Sequence, residues 1–63
     1  MIDIYKRILD EIEQSEMNAL DMSYFLGACD VALWQSSISF LERAKLLEIA
    51  ISKYNFFCRS LKG

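Results

Sequence analysis

Apolar residues recur at helical spacing along almost the entire chain, and no proline interrupts them. The chain has 63 residues and only two glycines, one of which is the last residue. Because proline and glycine are the residues that most strongly interrupt regular secondary structure, their scarcity predicts helices that are joined by short loops. We therefore predict a single all-α domain over residues 1–63, built from three helices.

The first predicted helix runs from about Ile2 to Ser15. Apolar residues at positions i, i+3, i+4 and i+7 are typical of a helix with one buried face. In this helix they are Tyr5, Ile8, Leu9 and Ile12. Asp3 lies in the first turn, where the helix dipole favours an anion. The opposite face is charged, and we expect it to be solvated.

The second predicted helix spans about Ala19 to Gln35 and is apolar on nearly every side. It follows a break at 15–18, where Asn18 and Asp21 resemble a helix cap. Its apolar residues form two stripes, which are Leu20, Tyr24, Gly27, Val31 and Trp34, and Met22, Phe25, Leu26, Cys29 and Leu33. A helix with this pattern is usually buried on more than one side.

The third predicted helix begins near Ser37 or Ser39 and continues to about Leu61. Ser39 and Glu42 fit a capping box, in which each side chain accepts from the other residue's backbone N–H. Three heptads of apolar residues resemble a short coiled-coil seam; they are Phe40, Ala44, Leu47, Ile51, Tyr54, Cys58 and Leu61. A second apolar surface lies off this seam and consists of Leu46, Ile49, Ala50, Phe56 and Phe57. One surface can serve the core, which leaves the other for a partner.

The apolar content is higher than a chain of this length can bury alone. Hydrophobic residues make up 54% of the sequence, yet a domain of about 60 residues buries only about 60% of its unfolded surface. We expect helices two and three to form a long hairpin with the shorter first helix packed on it. We expect a second molecule, the partner in a homodimer, to cover the rest.

Four residues are the candidates for partner contact: Trp34, Ile49, Phe56 and Phe57. Aromatic side chains dominate binding energy when they fill a pocket of the partner. The competing interpretation is that these side chains belong to the core, as aromatic residues at helical spacing often do. The core of so short a chain is too small to take all of them, which favours partner contact for some.

Asp30 is a carboxylate within an otherwise apolar helix. In a hairpin that turns near Ser37, it lies level with Arg43 and Lys45. We interpret these three residues as an ion pair that fixes the register of the hairpin. The alternative is a buried carboxylate at a functional site, although burial without a partner is costly. The acidic start and basic end of the chain also favour packing of the first segment against the last.

The chain has no histidine, which is the commonest general base and metal ligand. It also lacks a glycine-rich phosphate loop and a cluster of metal ligands. We therefore expect no catalytic residue, cofactor, metal or small-molecule substrate. Cys29 and Cys58 fall roughly 20 Å apart in the hairpin register, which is too far for a disulfide. We expect reduced, buried thiols; a crosslink between two chains through Cys58 is the alternative.

The formal charge of -2 argues against a dedicated nucleic-acid binder, whose domain is usually basic. Lys53, Arg59 and Lys62 form a loose basic cluster, which we interpret as a solvated face. Phosphate contacts by a helix-turn-helix transcriptional regulator are the alternative. We find no signal peptide, and no uncharged run approaches the roughly 20 residues that span a membrane. A cytoplasmic location follows from these features.

Several whole-chain features point to one group of proteins. They are the chain length, the lack of proline, the acidic start at Ile2, Asp3, Ile4 and Tyr5, and the central segment 26–33. In these features the chain resembles the small accessory proteins encoded in the early exo–xis region of lambdoid phages. The resemblance implies a product made early after infection or induction. It also implies an effect on the host cell cycle and on the balance of lysis and lysogeny. Because the chain has an excess of apolar faces, we expect it to act by binding a host protein.

Overall fold

A computed structural model describes residues 3–61, which form three helices and no strand. Helix α1 spans Ile4–Gln14, α2 spans Ala19–Trp34 and α3 spans Phe40–Leu61. Because a short connection joins α2 to α3, these two helices pack as an antiparallel hairpin, and α1 contacts both. The predicted all-α class with three helices is confirmed. The predicted start of the first helix at Ile2 lies outside the described residues.

Side-chain caps explain where α1 and α3 begin. Asp3 is the N-cap of α1, and its Oδ1 accepts a hydrogen bond from the Lys6 backbone N–H at 3.2 Å. Before α3, the Glu42 N–H donates to Ser39 Oγ at 3.1 Å, and the Ser39 N–H donates to Glu42 Oε1 at 2.9 Å. This is the predicted capping box, so Ser39 rather than Ser37 is the start.

The connection between α1 and α2 is a compact hydrogen-bonded turn. Asn18 caps α2 by accepting from the Asp21 N–H at 2.9 Å, as its spacing predicted. The Asp21 carboxylate accepts from the Ser15 hydroxyl at 2.8 Å, and that hydroxyl accepts from the Met17 N–H at 2.9 Å. Met17 adopts a positive φ of 60°. This left-handed conformation accompanies a side chain that is completely buried in the core.

The core lies where the three helices meet and contains no buried polar or charged residue within 3–61. Its members are Ile8, Ile12, Met17, Met22, Phe25, Cys29, Ala32, Ile38, Leu46 and Ala50. The predicted stripe of α1 faces this core, because Ile8 and Ile12 are buried and Tyr5 and Leu9 pack at its edge. The apolar pattern of α1 therefore predicted its buried face correctly.

The heptad seam of α3 is not its most buried surface. Leu46 and Ala50 are completely buried, and both lie off the seam. Phe40, Ile51 and Leu61 of the seam are exposed. Successive residues are about 100° apart around a helix, so the face that meets α1 and α2 is displaced sideways from the seam. Of the two apolar surfaces of α3, the one off the seam supplies both of the residues that this helix buries in the core.

Both cysteines are free thiols. Cys29 is completely buried, whereas Cys58 is half-buried. Burial raises the pKa of the Cys29 thiol; nearby Arg43 opposes this shift and Asp30 adds to it. A hydrogen bond with Cys58 raises the pKa of the Tyr54 hydroxyl. Cys29 is thus the buried apolar thiol that the sequence predicted, while Cys58 retains access to solvent.

We expect Cys29 to resist alkylation in the folded protein and Cys58 to react. Because folding raises the pKa of Cys29, stability is unaffected well below the ordinary thiol value of 9.0 and falls as pH rises above it. Alkylation followed by mass spectrometry measures the first effect, and urea unfolding at neutral and alkaline pH measures the second. Cys29→Ala is the control that removes this part of the pH dependence. Equal alkylation of both thiols contradicts the expectation.

Candidate interaction surface

The outer face of α2 is apolar along its whole length. The exposed fractions are 81% for Leu20, 60% for Tyr24, 50% for Val31 and 84% for Trp34. Gly27 lies at the centre of the same row and is also exposed. These five residues are the first of the two stripes predicted for this helix, and we call them the α2 outer stripe. Large apolar side chains in such a row are a feature of surfaces that contact another molecule.

The α2 outer stripe lies on the reverse side of the helix from the core. The core-facing residues of α2 are Met22, Phe25, Cys29 and Ala32. At about 100° per residue, the centre of the stripe falls roughly 180° away from the centre of that buried face. Within residues 3–61, the outer stripe therefore lies outside the core, and packing against α1 and α3 leaves its side chains exposed. Ser23 and Asp30 are polar side chains of α2 that border it on the side away from Tyr24.

A groove runs beside the stripe, between α1 and α2. Its volume is about 570 Å³, and its walls include Ile4 and Ile8 of α1 together with Tyr24, Gly27 and Val31 of α2. A Cβ atom added to Gly27 meets no other atom within 4 Å. The backbone of α2 is therefore open to an approaching molecule at this point.

Asp30 and Arg43 form an ion pair at the edge of this surface. Arg43 Nε donates to Asp30 Oδ1 at 2.8 Å, and the Asp30 side chain is mostly exposed. The alternative of a buried carboxylate is therefore wrong. Exposed ion pairs stabilise a fold by only about 0–1 kcal/mol. The pair links α2 to α3 at the level that the hairpin register predicted, with little effect on stability.

Lys45 does not join this ion pair, although the sequence placed it beside Asp30. It is exposed on α3 and forms no ion pair within residues 3–61. Two residues that are two positions apart in a helix differ by about 200° in direction. Since Arg43 points toward α2, Lys45 points away from it. Helical geometry alone therefore explains why Lys45 does not reach Asp30.

The predicted partner-contact residues are divided between two ends of the molecule. Phe56 is 72% exposed and Phe57 is half-buried, and both line a groove near the end of α3. Trp34 lies at the end of α2, next to the connection that leads into α3. Phe56 is 16 positions beyond the start of α3, which corresponds to about 24 Å along the helix. Ile49 is half-buried and packs against the core instead of facing outward.

Lys53 has a role that the sequence did not predict. Its Nζ donates to the backbone carbonyls of Ile12, Glu13 and Ser15 at 2.8, 2.8 and 2.9 Å. These carbonyls end α1, whose last turn contains no basic residue. The predicted assignment of Lys53 to a solvated basic cluster is therefore wrong. The last turn of α1 has no lysine or arginine of its own to bind its terminal carbonyls. This is the feature of the sequence that could have predicted a cation from another helix.

The rest of the proposed basic cluster is not a coherent site. Arg59 is exposed in the last turn of α3, and Lys62 lies outside the described residues. Because Lys53 donates hydrogen bonds to backbone carbonyls of α1, the structure does not place these three cations on one open face.

Comparisons with models of protein families, with curated proteins and with solved structures found no match. No helix in the described part of the chain is long and apolar enough to cross a membrane. Residues 3–61 also contain no group of three side chains placed to hold a metal ion. The fold and surface define a small three-helix protein with an apolar outer face.

Proposed function

We propose that this protein is a non-enzymatic interaction protein that forms a homodimer and binds a host protein. The observation that supports this proposal is the α2 outer stripe, which is exposed, continuous and opposite the core. Burying a large apolar side chain contributes about 1.5–3 kcal/mol relative to leaving it exposed. Covering Leu20, Val31 and Trp34 therefore provides a driving force comparable with the cost of association.

The biological setting of the proposal comes from the resemblance to lambdoid phage accessory proteins. In that setting the protein acts in the host cytoplasm, early in infection or induction, and changes the host cell cycle or phage development. The groove at Phe56 and Phe57 is a second apolar surface for the host protein, at the opposite end of the molecule from Trp34. The alternative of a helix-turn-helix regulator has less support, because Lys53 is not available to contact phosphate.

The test replaces two residues of the stripe by glutamate, in the double variant Val31→Glu and Trp34→Glu. We expect the unmodified protein to sediment as a dimer at micromolar concentration and the variant to sediment as a monomer. Because both side chains are exposed, the helical circular dichroism should not change. The matched control is Leu41→Glu with Leu61→Glu, which adds the same charge to exposed leucines of α3 and should leave the dimer intact.

The host protein is tested separately by affinity capture from host extract with the unmodified protein and with a Phe56→Glu variant. We expect a specific host protein to be retained by the first and lost with the second. A strict monomer that also retains no host protein contradicts the proposed function.

A further inference from the structure

Gly27 lies in the middle of α2, where glycine destabilises a helix by about 0.5–1 kcal/mol relative to alanine. Nothing within residues 3–61 requires a glycine here, since an added Cβ meets no atom of that part of the chain within 4 Å. Glycine is also the residue that allows another backbone to approach a helix closely. Its position at the centre of an exposed apolar row indicates that a second helix crosses α2 at this residue.

The side chains around Gly27 are arranged symmetrically. Leu20 and Trp34 lie seven positions before and after it, and both are large, apolar and exposed. Tyr24 and Val31 lie three before and four after it, on one side of the row. A surface of this kind matches itself when a copy is turned by 180°, which is the requirement for a two-fold interface.

We propose that the second copy docks on the α2 outer stripe, antiparallel to it, about a two-fold axis beside Gly27. This inference rests on the proposed function and specifies the surface and orientation of its homodimer. In this arrangement Gly27 faces Gly27 of the second copy, Leu20 faces Trp34, and Tyr24 faces Val31. The two glycines let the helix axes approach to about 8 Å, the short end of the usual range.

The polar edge of the stripe is complementary to itself as well. On the side away from Tyr24, the same axis brings the Ser23 hydroxyl opposite Asp30 of the second copy. Arg43 occupies Asp30 Oδ1, so Oδ2 is the oxygen to which the Ser23 hydroxyl can donate. The stripe itself carries no charged side chain, and α2 contains no lysine or arginine. An apolar surface with a hydroxyl and a carboxylate at its edge therefore fits a copy of itself better than a charged partner.

The available area is also appropriate for a dimer of modest affinity. A standard interface buries about 800 Å² on each partner. Tyr24 and Trp34 are mostly exposed and together offer on the order of 300 Å². Leu20, Val31 and the groove wall of α1 supply further apolar area. We therefore expect an interface at the lower end of the standard size, and dissociation in the micromolar range.

The first test is Gly27→Leu, measured by sedimentation equilibrium. The variant should fold with equal or greater helical stability, because its side chain enters open space and leucine favours a helix. We expect its dimer dissociation constant to rise at least tenfold, since the two leucines keep the helices apart. Asn55→Leu, on the exposed surface of α3, is the matched control and should leave the dissociation constant unchanged.

The second test is a disulfide between two copies. In a Cys58→Ser background, Gly27→Cys should form a crosslinked dimer in oxidised glutathione, because the axis brings the two Cα atoms within the roughly 7 Å that a disulfide requires. Asn55→Cys in the same background is the control and should crosslink much more slowly. Cys29 is buried and is left in place.

These tests separate the failure of the inference from the failure of the proposed function. If Gly27→Leu dimerises as tightly as the unmodified protein, or if residue 27 crosslinks no faster than residue 55, the two-fold axis beside Gly27 is wrong while dimerisation itself stands. If the unmodified protein is a monomer, the inference is overturned, and the proposed function then depends on capture of the host protein.

Discussion

Replacing Met17 by alanine should lower the free energy of unfolding by about 2–5 kcal/mol, the usual range for truncating a buried methionine. Met17 is completely buried although it belongs to the connection between α1 and α2. Its side chain is part of the hydrophobic core, so alanine leaves a cavity there. A domain of this kind has a total stability of about 5–15 kcal/mol, and the loss is a large share of it. Urea unfolding monitored by circular dichroism measures the change.

Two further variants at this position separate the packing of the side chain from the backbone conformation. Met17→Leu keeps the apolar volume and should lower stability by less than about 1.5 kcal/mol. Met17→Gly should be at least as stable as Met17→Ala, because a φ of 60° is accessible to glycine without the penalty of roughly 1–2 kcal/mol that other residues carry. This order is the reverse of that found within a helix.

Two outcomes would contradict the predictions for Met17. A loss below about 1 kcal/mol for Met17→Ala means that the side chain contributes little to the core. An alanine variant clearly more stable than the glycine variant means that the left-handed backbone is not required at this turn.

The sequence predicted the helix boundaries well because the signals for them are local. Asn18 with Asp21 and Ser39 with Glu42 cap α2 and α3 through hydrogen bonds over three residues. Such contacts depend only on the identity and spacing of the residues concerned. The buried face of α1 was also predictable, because one side of that helix is charged and the other is apolar.

The choice of buried face in α2 and α3 could not be predicted in the same way. Both helices carry two apolar rows with the same period, so hydrophobic periodicity does not distinguish a core row from an exposed row. The position of α1 makes the distinction, and it depends on contacts that are distant in sequence, such as that between Lys53 and Ile12. The sequence therefore identified the row from Leu20 to Trp34 but did not identify it as the outer surface.

The candidate interaction surface was predictable only in part for the same reason. Trp34 and Phe56 are large and apolar, which made them candidates from composition alone, and both are exposed. Ile49 is also large and apolar, but it packs against the core. Gly27 appears in the sequence only as one member of an apolar row, and its open surroundings show that no helix within residues 3–61 uses the space that it leaves.

Replacing Lys53 by methionine should lower the free energy of unfolding by about 2–3 kcal/mol. Methionine preserves much of the apolar stem but removes the ammonium group that bonds to three carbonyls at the end of α1. Hydrogen bonds to a charged group contribute about 1.5–3 kcal/mol, and carbonyls at a helix end need partners when they are partly buried. Lys45→Met, on an exposed site of α3, is the control and should change stability by less than about 0.5 kcal/mol.

Lys53→Arg tests whether the geometry of the ammonium matters as well as its charge. The three acceptors converge on one nitrogen, which an ammonium can satisfy and a planar guanidinium cannot reproduce. We therefore expect arginine to recover only part of the lost stability. Amide hydrogen exchange adds a local measurement, because loss of this contact should speed exchange in α1 more than in the α2–α3 hairpin. If Lys53→Met matches Lys45→Met in both measurements, the contact does not hold α1 in place. The antiparallel hairpin then retains α1 through its apolar face, in which Ile8 and Ile12 are buried and Tyr5 and Leu9 pack at the edge of the core.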